Sequence, residues 1–259
     1  MVPRKLLVVI GAVGALALVG CEEVGQSRLD YSDTENVAIK EILIDPGSGN
    51  VTVRTSDTDK VDIKRVVRYR GEEGEPNAQY HLNGTVLQIG TECGRGCSID
   101  YEIVAPKGVA VRGENGSGDI SLNGVSTVDL QLGSGHIGVV GASGSVKVHT
   151  GSGDVTVADV AGDLDARTGS GGIEARGVGG TSSTLRTGSG DVTLELTKAG
   201  GVRTHTGSGN VDITVPAGSY RVDARTGSGE KMLGVPNSPT GTYLLDLETG
   251  SGDITLREV

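Results

Sequence analysis

The chain contains no Phe and no Trp, and its only aromatic residues are six Tyr in 259 positions. A core without large aromatic anchors argues against an ordinary β-sandwich of this length and for two walls that lie close together. Positive charge is also scarce: 23 Lys and Arg stand against 33 Asp and Glu, a formal net charge of −10. With no basic run and no interleaved aromatics, a nucleic-acid partner is excluded. The motifs of common catalysis are absent as well. There is no H-E-x-x-H, phosphate loop or dinucleotide fingerprint, and the serines sit in Gly-rich turns rather than on a strand-to-helix elbow. No catalytic residue, cofactor or metal is expected, and the chain reads as a non-enzyme.

Cysteine is nearly absent, and each of the three has its own context. Arg4 and Lys5 precede an apolar run, Leu6 to Val19, too short to span a bilayer comfortably. The run ends Leu18-Val19-Gly20-Cys21, which resembles the lipobox of bacterial lipoproteins. By that resemblance residues 1–20 are a signal peptide, and Cys21 is acylated to become the mature N-terminus. An ordinary export signal ending near a cysteine is the alternative. Two or three acyl chains would hold the protein stably on a membrane. Loss of residues 1–20 removes two positive charges and takes the net charge to −12. Glu22 is not the Asp that often signals inner-membrane retention, so the expected location is the outer membrane where there are two, and otherwise the outer face of the plasma membrane. Residues 21–36 read as a flexible tether. The remaining pair, Cys93 and Cys97, is expected to form a disulfide in an oxidising compartment, across the flexible loop Gly94-Arg95-Gly96.

Glycine, by contrast, is abundant, with 44 residues, and it is periodic. Gly-Ser-Gly occurs nine times, starting at Gly47, Gly116, Gly133, Gly151, Gly169, Gly188, Gly207, Gly227 and Gly250. From Gly116 onward the intervals are 17, 18, 18, 19, 19, 20 and 23 residues. Self-similarity of that kind marks a stacked solenoid. Within one unit, Gly151 to Thr168, alternation puts Val155, Val157, Leu164, Ala166 and Thr168 on one side and Thr156, Asp165 and Arg167 on the other. The expected fold is therefore all-β, a β-solenoid (β-helix) of two-strand coils with Gly-Ser-Gly turns and a period of about 18–20 residues. Residues 37–107 carry strand patterns at looser spacing and read as irregular N-terminal coils; residues 108–259 read as the regular repeats. The last strand, Asp253 to Glu258, is expected at an open edge, guarded by Arg257 and Glu258.

Three columns flank the turns. A Thr column directly before Gly-Ser-Gly (Thr150, Thr168, Thr187, Thr206, Thr226, Thr249) suits β structure and is expected to bond along the stack. Directly after the motif stand Asp119, His136, Asp154, Gly172, Asp191, Asn210, Glu230 and Asp253. A calcium column would need the pattern G-G-x-G-x-D, which is absent, so these acids are read as Asx-type turn residues. Two residues before the motif, His149, Arg167, Arg186, His205 and Arg225 form the candidate binding row, against which an anionic glycan or an envelope protein could lie. His149 and His205 lie three coils apart, roughly 14 Å at strand spacing, so one zinc ion cannot use both.

Val104-Ala105-Pro106-Lys107-Gly108-Val109, leading into Gly116-Ser117-Gly118-Asp119-Ile120 and the later T-G-S-G-D-V-T-V type repeats, resembles the bacterial putative-adhesin family of β-strand-repeat proteins. The likeness covers residues 37–259. It implies a β-helical fold and an adhesin-like binding role on the cell envelope. Self-association into an envelope assembly, or service as an accessory subunit of an envelope-stress sensor, are the alternatives it leaves open.

Overall fold

The computed structural model describes residues 27–70 and 79–259; the signal segment, Cys21 and the first residues of the expected tether, 21–26, lie outside them. The N-terminal part contains β1 (Ser27–Glu35), β2 (Glu41–Asp45), β3 (Val51–Ser56), β4 (Val61–Tyr69), β5 (Tyr80–Asn83), β6 (Val86–Gly90) and β7 (Cys97–Pro106). Regular coils follow: β8 (Ala110–Ser117), β9 (Ile120–Asn123), β10 (Val128–Ser134), β11 (Ile137–Val140), β12 (Val146–Ser152) and β13 (Val155–Val160). They continue through β14 (Leu164–Ser170), β15 (Ile173–Val178), β16 (Ser182–Ser189), β17 (Val192–Leu196), β18 (Gly201–Ser208) and β19 (Val211–Val215). The chain closes with β20 (Tyr220–Ser228), β21 (Lys231–Leu233), β22 (Tyr243–Ser251) and β23 (Ile254–Glu258).

Each regular coil gives one strand to each of two long sheets. Sheet A runs β1-β4-β7-β3-β9-β11-β13-β15-β17-β19-β23-β21, and sheet B runs β5-β6-β2-β8-β10-β12-β14-β16-β18-β22-β20. Coil-to-coil pairing is parallel and in register: Val146 faces Leu164, His149 faces Arg167 and Thr150 faces Thr168. The alternation read from the unit 151–168 is realised, with Val155, Val157, Leu164, Ala166 and Thr168 buried between the sheets. Aliphatic side chains meet there across a narrow gap, and a coil alone would leave one edge of that core wet, so stacking is what makes it stable.

Two expectations fail at the ends of the stack. Ser27–Glu35, assigned to the tether, forms β1 and pairs antiparallel with β4 along its whole length, Ser27 opposite Tyr69 and Glu35 opposite Val61. Its polar composition hides an inward side, Leu29, Tyr31 and Asp33. Behind them Arg65 is buried, ion-paired to Asp33 at 2.6 Å, with its guanidinium 4.9 Å from the Tyr31 ring and 5.1 Å from that of Tyr80. This charged, aromatic plug closes the apolar core at its N-terminal end.

At the other end the final strand is not an edge. β22 lies between β18 and β20, and β23 lies between β19 and β21, so the last repeat is inserted inside the one before it. The reason is burial. Leu245, Leu247, Ile254 and Leu256 are wholly buried in the inserted position, whereas Val222 and Ala224 of β20 are half-buried and Met232 and Leu233 of β21 are exposed. The more apolar pair of strands takes the place covered on both sides. The loop 234–242, with Pro236 and Pro239, carries the chain back and shields the true edge. Val222 N–H donates to Asn237 Oδ1 at 3.0 Å, Ser238 N–H to the Tyr220 carbonyl at 2.8 Å, and Lys231 Nζ to the Ala224 carbonyl at 3.2 Å. A loop and a lysine on an edge strand oppose chain-to-chain pairing there.

Candidate functional site

The parallel register of sheet B lines up two outward columns that sequence spacing could place only approximately. One runs Arg112, Asp129, Lys147, Asp165, Thr184, Arg203, Asp246, Asp223. Beside it run Glu114, Gln131, His149, Arg167, Arg186, His205, Glu248 and Arg225. The candidate row is thus broken. His149, Arg167, Arg186 and His205 are neighbours on consecutive strands, but Glu248 of the inserted β22 stands between His205 and Arg225. Arg225 is separated from the others because the last two repeats are stacked in reverse chain order.

Ion pairing sorts the cations further. Arg167 holds Asp165 with both arms of its guanidinium, at 3.0 and 2.9 Å. Arg203 reaches Asp246 at 3.2 Å, and Lys147 reaches Asp129 at 3.3 Å. Arg225 is bonded to Asp223 and, at 2.8 Å, to Asp246; Asp223 is the chief cause of the upward shift of its pKa. His205 Nδ1 lies 3.6 Å from Glu248. Arg186 is exposed and, among the described residues, has no carboxylate partner. Exposed pairs of this kind contribute little stability, but they decide which cation remains available to a ligand.

The column after the turns has a structural task. Asp154 Oδ1 accepts the Gly172 N–H at 2.8 Å, Asp191 Oδ1 the Asn210 N–H at 2.7 Å, Asn210 Oδ1 the Asp253 N–H at 2.9 Å and Asp253 Oδ1 the Glu230 N–H at 2.8 Å. The bonds run from coil to coil rather than within one turn. The carboxylates are therefore committed to backbone donors, and among the described residues no group of three or more His, Cys, Asp or Glu could hold a metal ion. The Thr column bonds along the stack, hydroxyl to carbonyl rather than hydroxyl to hydroxyl: each donates to a turn carbonyl of the adjacent coil, Thr168 to Gly153 at 2.8 Å, Thr187 to Gly171 at 2.8 Å and Thr206 to Gly190 at 3.0 Å.

Cys93 and Cys97 are disulfide-bonded, with Cα atoms 5.5 Å apart. Cys93 lies in the loop between β6 and β7, and Cys97 opens β7.

A family model described as Toastrack DUF4097 matches residues 39–258. No curated protein matches the sequence. Among solved structures, a putative adhesin from Bacteroides fragilis is 16% identical, with 90% of this chain and 98% of that one covered and a TM-score of 0.50. A putative adhesin from Parabacteroides merdae is 13% identical, covering 92% and 97% of the two chains with a TM-score of 0.36. A putative cell adhesion protein from Clostridium sporogenes is 14% identical, covering 90% and 100%, with a TM-score of 0.33. At these identities the likeness speaks for the fold, and of the three only the Bacteroides fragilis structure reaches a score at which it does so.

Proposed function

We propose that this chain, which belongs to the Toastrack family, is a lipid-anchored, non-enzymatic binding module of the cell envelope. In this reading Cys21 carries the anchor and the outer face of sheet B is the recognition surface. The observation that carries the reading is the run His149, Arg167, Arg186, His205 on four consecutive strands of an otherwise acidic protein, with one guanidinium, that of Arg186, uncompensated among the described residues. A rigid sheet presents such groups at fixed spacing, which is what a repetitive partner requires. The adhesin name of the Bacteroides fragilis structure agrees with a surface role.

Self-association into an envelope assembly is the second reading, favoured by the exposed Met232 and Leu233 at the C-terminal end of the stack. In-cell crosslinking of the lipidated protein, followed by mass spectrometry, separates the two. A reproducible foreign partner, lost on charge reversal at Arg167 and Arg186, supports recognition; crosslinks between copies of this chain alone support assembly. Substituting Cys21→Ala and measuring membrane association tests the anchor independently.

A further inference from the structure

Every lysine and arginine that strands β8, β10, β12, β14 and β18 place on the outer face of sheet B has a carboxylate partner: Arg112 has Glu41, Lys147 has Asp129, Arg167 has Asp165 and Arg203 has Asp246. Among the described residues, Arg186 of β16 has none. The pattern shows why. Arg167 pairs with the Asp two residues earlier on its own strand, and so does Arg225; at the equivalent position before Arg186 stands Thr184. From Arg112 to Asp165 the column alternates in sign, and Thr184 is the neutral step at which the alternation stops, so no carboxylate stands beside Arg186 on its own strand.

We infer that Thr184 and Arg186 form a seat for a carboxylate of an acidic polysaccharide, one built from uronic acids, lying across the outer face of sheet B. The inference rests on the reading of that face as a recognition surface and specifies its ligand. A guanidinium fork matches a carboxylate with two parallel hydrogen bonds, and the Thr184 hydroxyl is a further donor beside it. The groove next to Arg186 is lined by Arg203, Thr204, His205, Asp246 and Glu248. Asp246 and Glu248 on that side and Asp165 on the other bound the seat with negative charge, which admits a singly charged carboxylate and penalises a dianionic phosphate. The lining has none of the apolar or aromatic anchors at the centre of a protein–protein interface, and a hydroxyl-rich glycan suits it better.

The test uses the full-length lipidated protein in detergent, titrated with a galacturonate hexamer, with the methyl-esterified hexamer as the uncharged control. Wild type is expected to bind the acid and not the ester. Thr184→Asp supplies the protein's own carboxylate to Arg186, and Arg186→Gln removes the fork; each is expected to weaken binding at least about tenfold, the scale of one lost charged hydrogen bond. Arg221→Gln, at an exposed arginine outside the seat, is expected to change nothing. Equal binding of the ester, undiminished binding by both seat variants, or displacement of the hexamer by equimolar inorganic phosphate would each overturn the carboxylate assignment. Absence of any binding by wild type, with a foreign partner still captured by crosslinking, would sink the polysaccharide seat and leave the recognition reading standing.

Discussion

Asp154 Oδ1 accepts the backbone N–H of Gly172 from the next coil at 2.8 Å, and Gly172, having no side chain, cannot pass the pattern on to Asp191. The position is not one that requires glycine: its φ lies outside the left-handed region, and an added Cβ would come no closer than 3.5 Å, to the Asp191 carbonyl. Gly172→Asn should therefore restore the missing link without a new charge. An added hydrogen bond and a less flexible unfolded chain together predict about 1–2 kcal/mol of stabilisation, read as a higher denaturant midpoint. No change in midpoint would mean that the coil-to-coil bonds are satisfied equally well by water.

Gly153 is the opposite case. Its φ is +130°, and a Cβ would lie 2.1 Å from the Gly135 carbonyl of the preceding coil. Gly153→Val should cost more than about 3 kcal/mol, since left-handed strain and a backbone clash add. Thr156→Val, on an outward strand position two residues beyond the next, should stay within about 0.5 kcal/mol. Thermal melts of the two variants give the comparison directly.

The buried hydroxyls of Ser183 and Thr204 have no hydrogen-bond partner among the described residues. Thr204 stands in an inward column between Leu185 and Leu247. Replacing its hydroxyl by a methyl in Thr204→Val keeps the shape and removes an unsatisfied polar group, for a gain of about 1 kcal/mol. A loss instead would show that the hydroxyl is hydrated or paired in solution.

Alkali should unfold the protein through its buried tyrosines. Burial pushes Tyr101 up to about 12, partly opposed by Arg65, and burial together with its hydrogen bond to Glu35 also raises Tyr80. The folded state therefore holds these protons in a range where the unfolded chain, titrating near ~10, has released them. The stability they lend is intact below pH ~10 and declines as pH rises toward 12, by up to about 1.4 kcal/mol per pH unit for Tyr101 and by less for the half-buried Tyr80, which solvent screens. Tyr101→Phe should give a shallower decline in denaturation free energy across that interval.

Removal of residues 243–259 should release more than those residues. The sheet partner of β20 is β22, and that of β21 is β23. Hydrogen exchange in the truncated chain should show residues 220–233 unprotected while strands up to β17 keep their protection. Continued protection of 220–228 would mean that β20 can dock directly on β18.

Much of this was legible in the residues. The Gly-Ser-Gly spacing located the turns, and period-2 alternation picked out the inward columns, because both follow from the local chemistry of one coil: a turn that only glycine fits and a strand with one wet face. Ser27–Glu35 escaped because its inward side is Leu29, Tyr31 and Asp33, too polar to read as a strand until Arg65 appears behind it.

The sequence by itself determined the two-strand coil, the aliphatic inward columns of the regular coils, the exposed basic row and the place of the disulfide, since each depends on neighbours in the chain. Only the tertiary structure decided the order in which coils stack. Consecutive repeats share a motif that pairs equally well with any other copy, so local chemistry leaves the order open. Burial settles it: the Leu-rich last repeat moves inside, Glu248 comes to stand between His205 and Arg225, and Arg186 is left as the unpaired cation of the central strands.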